Sequence, residues 1–119
     1  IIVDFNEFLR GTPMYVRVNV VEFKSEDAME KALSIYRDNS AEWIKDAQLL
    51  LTMKTSDRSA LYYAAFKTEQ AAENAMEGRK KYIEAMNDLV HDVFSHEGDM
   101  DFAYTHEDFL SAKILQRNF

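Results

Sequence analysis

Apolar and polar residues alternate from Met14 to Phe23. Val16, Val18 and Val20 share one side of an extended strand, and Tyr15, Arg17, Asn19, Val21 and Phe23 share the other. The period then lengthens to that of a helix. Ser25 offers an N-cap, and Glu26 and Asp27 sit in the first turn, where the helix dipole favours negative charge. Met29, Ala32, Leu33 and Tyr36 form its apolar stripe. Asp38-Asn39-Ser40 is expected to interrupt this helix, with Ser40 capping a second short one that carries Trp43, Ile44 and Ala47. From Gln48 to Lys67 two runs rich in Leu and Tyr, free of Pro and Gly, flank the polar tip Ser56-Asp57-Arg58-Ser59 and predict a hairpin.

Thr68 caps the next helical pattern, whose small face is Ala71, Ala72, Ala75 and Met76. Gly78 is a weak point there, since glycine costs about 1 kcal/mol against alanine in a helix interior. Beyond it Tyr82, Ile83, Met86, Leu89, Val90, Val93 and Phe94 continue at helical spacing, and the stretch from Ser95 to Asp99 closes the helix. The run from Asp101 to His106 alternates as a last strand would. Helix-like spacing also marks the stretch from Ile1 to Arg10, ended by Gly11-Thr12-Pro13, and the tail on Phe109, Leu110 and Ile114. The expected division is an N-terminal arm over residues 1–13, a domain over 14–106 and an extension over 107–119. The chain opens on Ile1, so either Met14 is a natural start or residues precede Ile1.

The predicted order is strand, helix, strand, strand, helix, strand. That is an α+β split βαβ, the ferredoxin-like arrangement, with an antiparallel sheet and helices on one face. The other face, bearing Val and Leu, needs cover, most simply the same face of an identical subunit about a two-fold axis. A hairpin alone is barely stable in water, so the central one has to lean on both helices and further strands.

Composition narrows the function classes. The formal charge of −7 argues against a phosphate-binding surface, hence against a nucleic-acid partner. Without cysteine there is no disulfide framework, thiolate metal site or thiol nucleophile, which fits a reducing, cytoplasmic setting. No apolar run is long enough for a bilayer, so no membrane partner is expected. Gly-rich phosphate loops and paired-histidine metal motifs are missing too, and no metal site is expected.

The opening from Met14 to Lys24 followed by an acidic-capped helix, and the junction from Tyr62 to Ala71 with its aromatic-Lys-Thr-x-x-Ala order, resemble the dimeric α+β barrel superfamily, in particular proteins similar to antibiotic-biosynthesis monooxygenases. The resemblance covers roughly Met14 to His106 and is one of pattern, with no catalytic signature. It implies a homodimer whose sheets pack into a barrel, with a small pocket between sheet and helices in each subunit. Members oxidise anthrones, quinols or related aromatics without metal or flavin, so no cofactor is expected, or they cleave haem. The haem-degrading branch uses an Asn on the first strand, matched by Asn19, but its Trp and axial His positions align with Ala75 and Ala85. Haem cleavage is therefore not expected.

The function the resemblance implies is a cofactor-independent monooxygenase acting on a small aromatic or quinone-like molecule. The alternative is a non-catalytic dimer that binds a small hydrophobic ligand or a protein. Asn19 either orients a substrate or dioxygen-derived oxygen or is a polar residue on a partly wet sheet face. His106 is either a general base beside the pocket or a surface residue at a strand end. Arg17 holds an anionic substrate or pairs with a carboxylate. Tyr15, Tyr62, Tyr63, Tyr82 and Tyr104 are suited to line an aromatic-accepting pocket. Trp43, Tyr63 and Tyr82 are the expected substrate-binding aromatics, with core filling and cross-strand packing as their plainer roles. His96, with Glu97 and Asp99, reads as a solvated loop, and Glu77, Arg79, Lys80, Lys81 and Glu84 as an exposed helix face.

Overall fold

A computed structural model describes residues 14–104. The predicted arm, His106 and the C-terminal tail lie outside the described residues. Strand β1 (Tyr15–Phe23) runs between β3 (Ser59–Phe66) and β4 (Val90–Asp99), and β2 (Ala47–Lys54) flanks β3. Every pairing is antiparallel and the order is β2-β3-β1-β4. Helices α1 (Glu26–Trp43), α2 (Glu69–Asn74) and α3 (Met76–Met86) complete an α+β, ferredoxin-like fold.

Local chemistry sets most boundaries. The Ser25 Oγ accepts the Ala28 N–H at 3.0 Å and the Thr68 Oγ1 accepts the Ala71 N–H at 3.0 Å, so both predicted caps form. At the hairpin tip the Thr55 N–H donates to the Ser59 carbonyl at 2.9 Å, and the Ser56 and Ser59 hydroxyls meet at 2.6 Å.

Three expectations are corrected. Asp38-Asn39-Ser40 does not break α1. The Asn39 amide donates back to the Ile35 carbonyl at 2.9 Å, and continuing the helix brings Ile44 into the core with Trp43 packed beside it. Burying such a side chain is worth about 1.5–3 kcal/mol, more than the weak propensities oppose. The second helical pattern divides at Ala75 into α2 and α3, and α3 stops at Met86 rather than running to Phe94. After a 3-10 turn (Asn87–Leu89), Val90 to Asp99 is the last strand, while residues 101–104 carry no regular structure. Val90, Val93 and Phe94 fit either period, and the free edge of β1 resolves the ambiguity by offering a ladder. His91 and His96 therefore lie exposed on a strand, not on a helix and in a loop.

The core lies between the helices and one sheet face. Phe23, Phe66, Met29 and Val21 are its largest fully buried side chains. The opposite face carries Val16, Val18 and Val20 beside Leu61, Tyr63 and Ala65, by strand alternation and register. At its two edges Leu51, Met53 and Phe94 are exposed, Phe94 to 65%.

Candidate functional site

The side of β1 that faces the helices carries Tyr15, Arg17, Asn19, Val21 and Phe23, and it is not uniformly apolar. Arg17 is buried to 7% exposure and needs partners there. It finds several. Its Nη1 donates to the Ala72 carbonyl at 2.7 Å, its Nε to Glu97 Oε2 at 2.8 Å, and its Nη2 lies 3.6 Å from Glu73 Oε1. The guanidinium also sits 5.9 Å from the centre of the Phe66 ring. Hydrogen bonds from Arg17 first, and from Tyr15 next, hold the Glu97 carboxyl below its ordinary range.

Beyond Arg17 a cavity of about 300 Å³ opens between β1, β3, the inner side of α3 and the start of β4. Its walls are largely apolar: Val21, Ile44, Phe66, Ile83, Met86 and Val93. That is the small end of the range for ligand pockets, suited to a molecule of one or two rings. Polar side chains also reach it: Asn19, Arg79, Tyr62 and Tyr82, with Tyr36, Asn87 and Arg17 completing the polar part of the lining.

Asn19 and Tyr62 are register partners on neighbouring strands, while Arg79 and Tyr82 stand three residues apart on one face of α3. Arg79 Nη2 donates to Asn19 Oδ1 at 3.2 Å, and the Ser95 hydroxyl meets the same oxygen at 2.6 Å. No carboxylate lies within ion-pair distance of Arg79 among the described residues. Burial first, and the nearby Arg17 charge second, lower its pKa, yet a guanidinium stays charged at neutral pH.

Three phenols pack together on the other side. Tyr36 meets Tyr62 edge-on at 4.9 Å between ring centres, and Tyr82 lies 5.0 Å from Tyr36. The Tyr62 and Tyr82 hydroxyls are 2.6 Å apart, and Tyr82 Oη donates to the Ala32 carbonyl at 3.1 Å. Burial pushes Tyr62 up to about 12, with the Tyr82 hydrogen bond pulling the other way. Tyr36 and Tyr82 are raised further, again chiefly by burial.

The structure brings Asn19, Arg17 and Tyr82 of the expected set together. Trp43 packs against the core outside the cavity lining, and Tyr63 points to the opposite sheet face because it follows Tyr62 on a strand. His106 lies outside the described residues. Arg79 takes on a weight the sequence did not give it, and of the tyrosines suited to a pocket wall Tyr62 is the one on its strand that turns inward. Arg79 is half-buried among exposed Glu77, Lys80, Lys81 and Glu84. The signal for Arg79 was its place one turn before Tyr82. Ala75 lines the cavity and Ala85 is exposed. Among the described residues no three His, Asp or Glu side chains gather as a metal site, and no helix is long and apolar enough to cross a membrane.

No family model and no curated protein matches the chain. Solved structures do. A dimeric ferredoxin-like protein from an uncultured marine organism superposes with a TM-score of 0.67 at 11% identity, over 83% of this chain and 99% of its own. A monooxygenase from Streptomyces coelicolor, solved with nanaomycin D, gives 0.64 at 16% identity over 78% and 92%. A candidate antibiotic biosynthesis monooxygenase from Nitrosomonas europaea gives 0.62 at 18% identity over 76% and 91%. At these identities the likeness is one of backbone architecture, and it establishes this chain's ferredoxin-like α+β fold.

Proposed function

We propose that the protein is a cytoplasmic homodimer that oxidises a small aromatic or quinone-like molecule with dioxygen, without metal or flavin. The observation that supports this most is the cavity: apolar walls around an amide, a guanidinium and a phenol, in a fold shared with a monooxygenase solved with nanaomycin D. Loss of a proton from an activated CH2 group gives a carbanion. That carbon adds to dioxygen, the peroxide takes up a proton, and loss of water leaves a carbonyl. The net change converts CH2 and O2 into C=O and H2O, so no outside reductant is needed. Arg79 stabilises the anion, Asn19 orients an oxygen, and the apolar walls exclude water. Tyr82 shapes the pocket and fixes Tyr62.

Among the described residues no imidazole lines the cavity, and its phenols are too weakly acidic to serve as bases at neutral pH. Proton removal falls to His106 or to a substrate that Arg79 makes more acidic. The same feature favours a second reading, a dimeric module that binds the molecule without turning it over. Oxygen uptake with anthrones and hydroquinones separates the two. Turnover that drops in Asn19→Ala and His106→Ala at unchanged melting temperature supports the oxygenase. Tight binding with no uptake across the panel overturns it and leaves the binding module. The second copy covers the open face of Val16, Val18, Val20, Leu51 and Phe94, an area too apolar to stay in water comfortably.

A further inference from the structure

The hydrogen atoms around the cavity are assigned by partners that can only donate or only accept. The Arg79 guanidinium has no acceptor atom, so the Asn19 atom facing it at 3.2 Å is the carbonyl oxygen. Ser95 Oγ closes on that same oxygen. Both lone pairs of the Asn19 carbonyl are then occupied, and its amide NH2 is the group left to offer. Arg79 keeps further N–H donors beyond the one given to Asn19. Arg17 differs: its Nη1 and Nε donate to the Ala72 carbonyl and to Glu97, and the Glu97 and Glu73 carboxylates both lie within ion-pair distance of its charge. The Asn19 and Arg79 side chains therefore turn donors to the cavity, and no described carboxylate lies within ion-pair distance of the Arg79 guanidinium, Glu97 acting on it only from further away.

The phenol pair resolves by the same logic. The Ala32 carbonyl cannot donate, so the Tyr82 hydrogen lies along its 3.1 Å contact to that oxygen. The 2.6 Å contact between Tyr62 and Tyr82 still requires a hydrogen, and only Tyr62 has one left. Tyr62 donates to Tyr82, Tyr82 donates to Ala32, and the Tyr62 oxygen is left with acceptor capacity alone. Asn19 and Tyr62 are adjacent register partners, so the donor end and this acceptor border one space.

We infer that the cavity selects an aromatic ligand carrying two different oxygens: an ionised one, carboxylate or phenolate, held by Arg79 and the Asn19 amide, and a neutral hydroxyl that donates to Tyr62. This rests on reading the cavity as the ligand site and adds the chemistry of what fits. A quinone carbonyl at the Tyr62 end meets oxygen with oxygen, so the reduced, hydroxylated form is the one accepted.

Calorimetric titration of the intact protein tests this with two probe sets of different span: 4-hydroxybenzoate and 6-hydroxy-2-naphthoate, each against its deoxy, methoxy and methyl ester counterparts. Converting the acid to its ester removes a charge-assisted contact and should weaken binding about tenfold or more. Removing or methylating the hydroxyl should weaken it about two- to tenfold. Arg79→Gln should erase the preference for acid over ester. Tyr62→Phe, which leaves the Tyr82 bond to Ala32 intact, should erase the preference for hydroxyl and spare the preference for acid. Esters binding as well as acids, methoxy compounds as well as hydroxy ones, or no probe binding at all overturns the inference. Oxygen uptake with a neutral anthrone, without these selectivities, keeps the oxygenase reading and sinks this one; the selectivities without uptake do the reverse.

Discussion

Glycine 78 yields the sharpest test of how α3 is seated. Local propensity alone says that Gly78→Ala stabilises a helix interior by about 1 kcal/mol. The structure says otherwise. A Cβ at Gly78 would collide with the Trp43 carbonyl oxygen and fall 2.6 Å from its carbon, where contacts under 3.0 Å are essentially never found. The obstacle is backbone at the end of α1, so no side chain can swing aside and α3 itself has to retreat. Overpacking of this kind costs about 1–3 kcal/mol, and a rigid obstacle belongs at the top of that range. Set against the propensity gain, the net loss is about 2 kcal/mol. With a urea slope of about 1–3 kcal/mol per molar, the unfolding midpoint should drop by about 1 M. Gly98→Ala is the control, since nothing lies within 4 Å of a Cβ there. Because α3 carries Arg79 and Tyr82, Gly78→Ala should also weaken ligand binding. A variant as stable as the parent, or more so, refutes the reasoning: propensity would then govern and the two helices could not be this close.

Alkaline titration should find three of the six tyrosines silent, because burial keeps Tyr36, Tyr62 and Tyr82 protonated. The stability they contribute is complete below the ordinary phenol value of 10 and lost as pH rises through about 12 for Tyr62, so their phenolate absorbance should appear together with unfolding. All six ionising near 10 with the fold intact would contradict it. Glu97 works in the opposite direction. Its lowered carboxyl stabilises above the ordinary 4.5 and ceases to do so as pH falls through its folded value, so Glu97→Gln should flatten the acid limb of the stability curve. The carboxylate is 48% exposed, so the effect should stay under about 1 kcal/mol. On the open sheet face, Leu51→Asp with Phe94→Asp should turn a sedimenting dimer into a folded monomer; a parent chain that is monomeric at every concentration removes the proposed second copy.

The sequence by itself determined the central strand, both helix caps, the hairpin and the split βαβ order. Those features are written in short-range chemistry: a period of two, a hydroxyl before an acidic turn, a polar tip between Leu- and Tyr-rich runs. It also separated the two faces of β1, placing Arg17 and Asn19 together on the mixed side. Where local signals were ambiguous, tertiary contacts decided. Val90 to Asp99 became a strand because β1 had an edge to pair, and α1 passed through Asp38-Asn39-Ser40 because Ile44 had a core to enter. The inward turn of Arg79, the chain of hydrogens from Tyr62 through Tyr82 to Ala32, and the closeness of Gly78 to Trp43 join residues distant in sequence. No periodicity encodes such pairs, since each partner alone satisfies its own helix or strand equally well facing elsewhere.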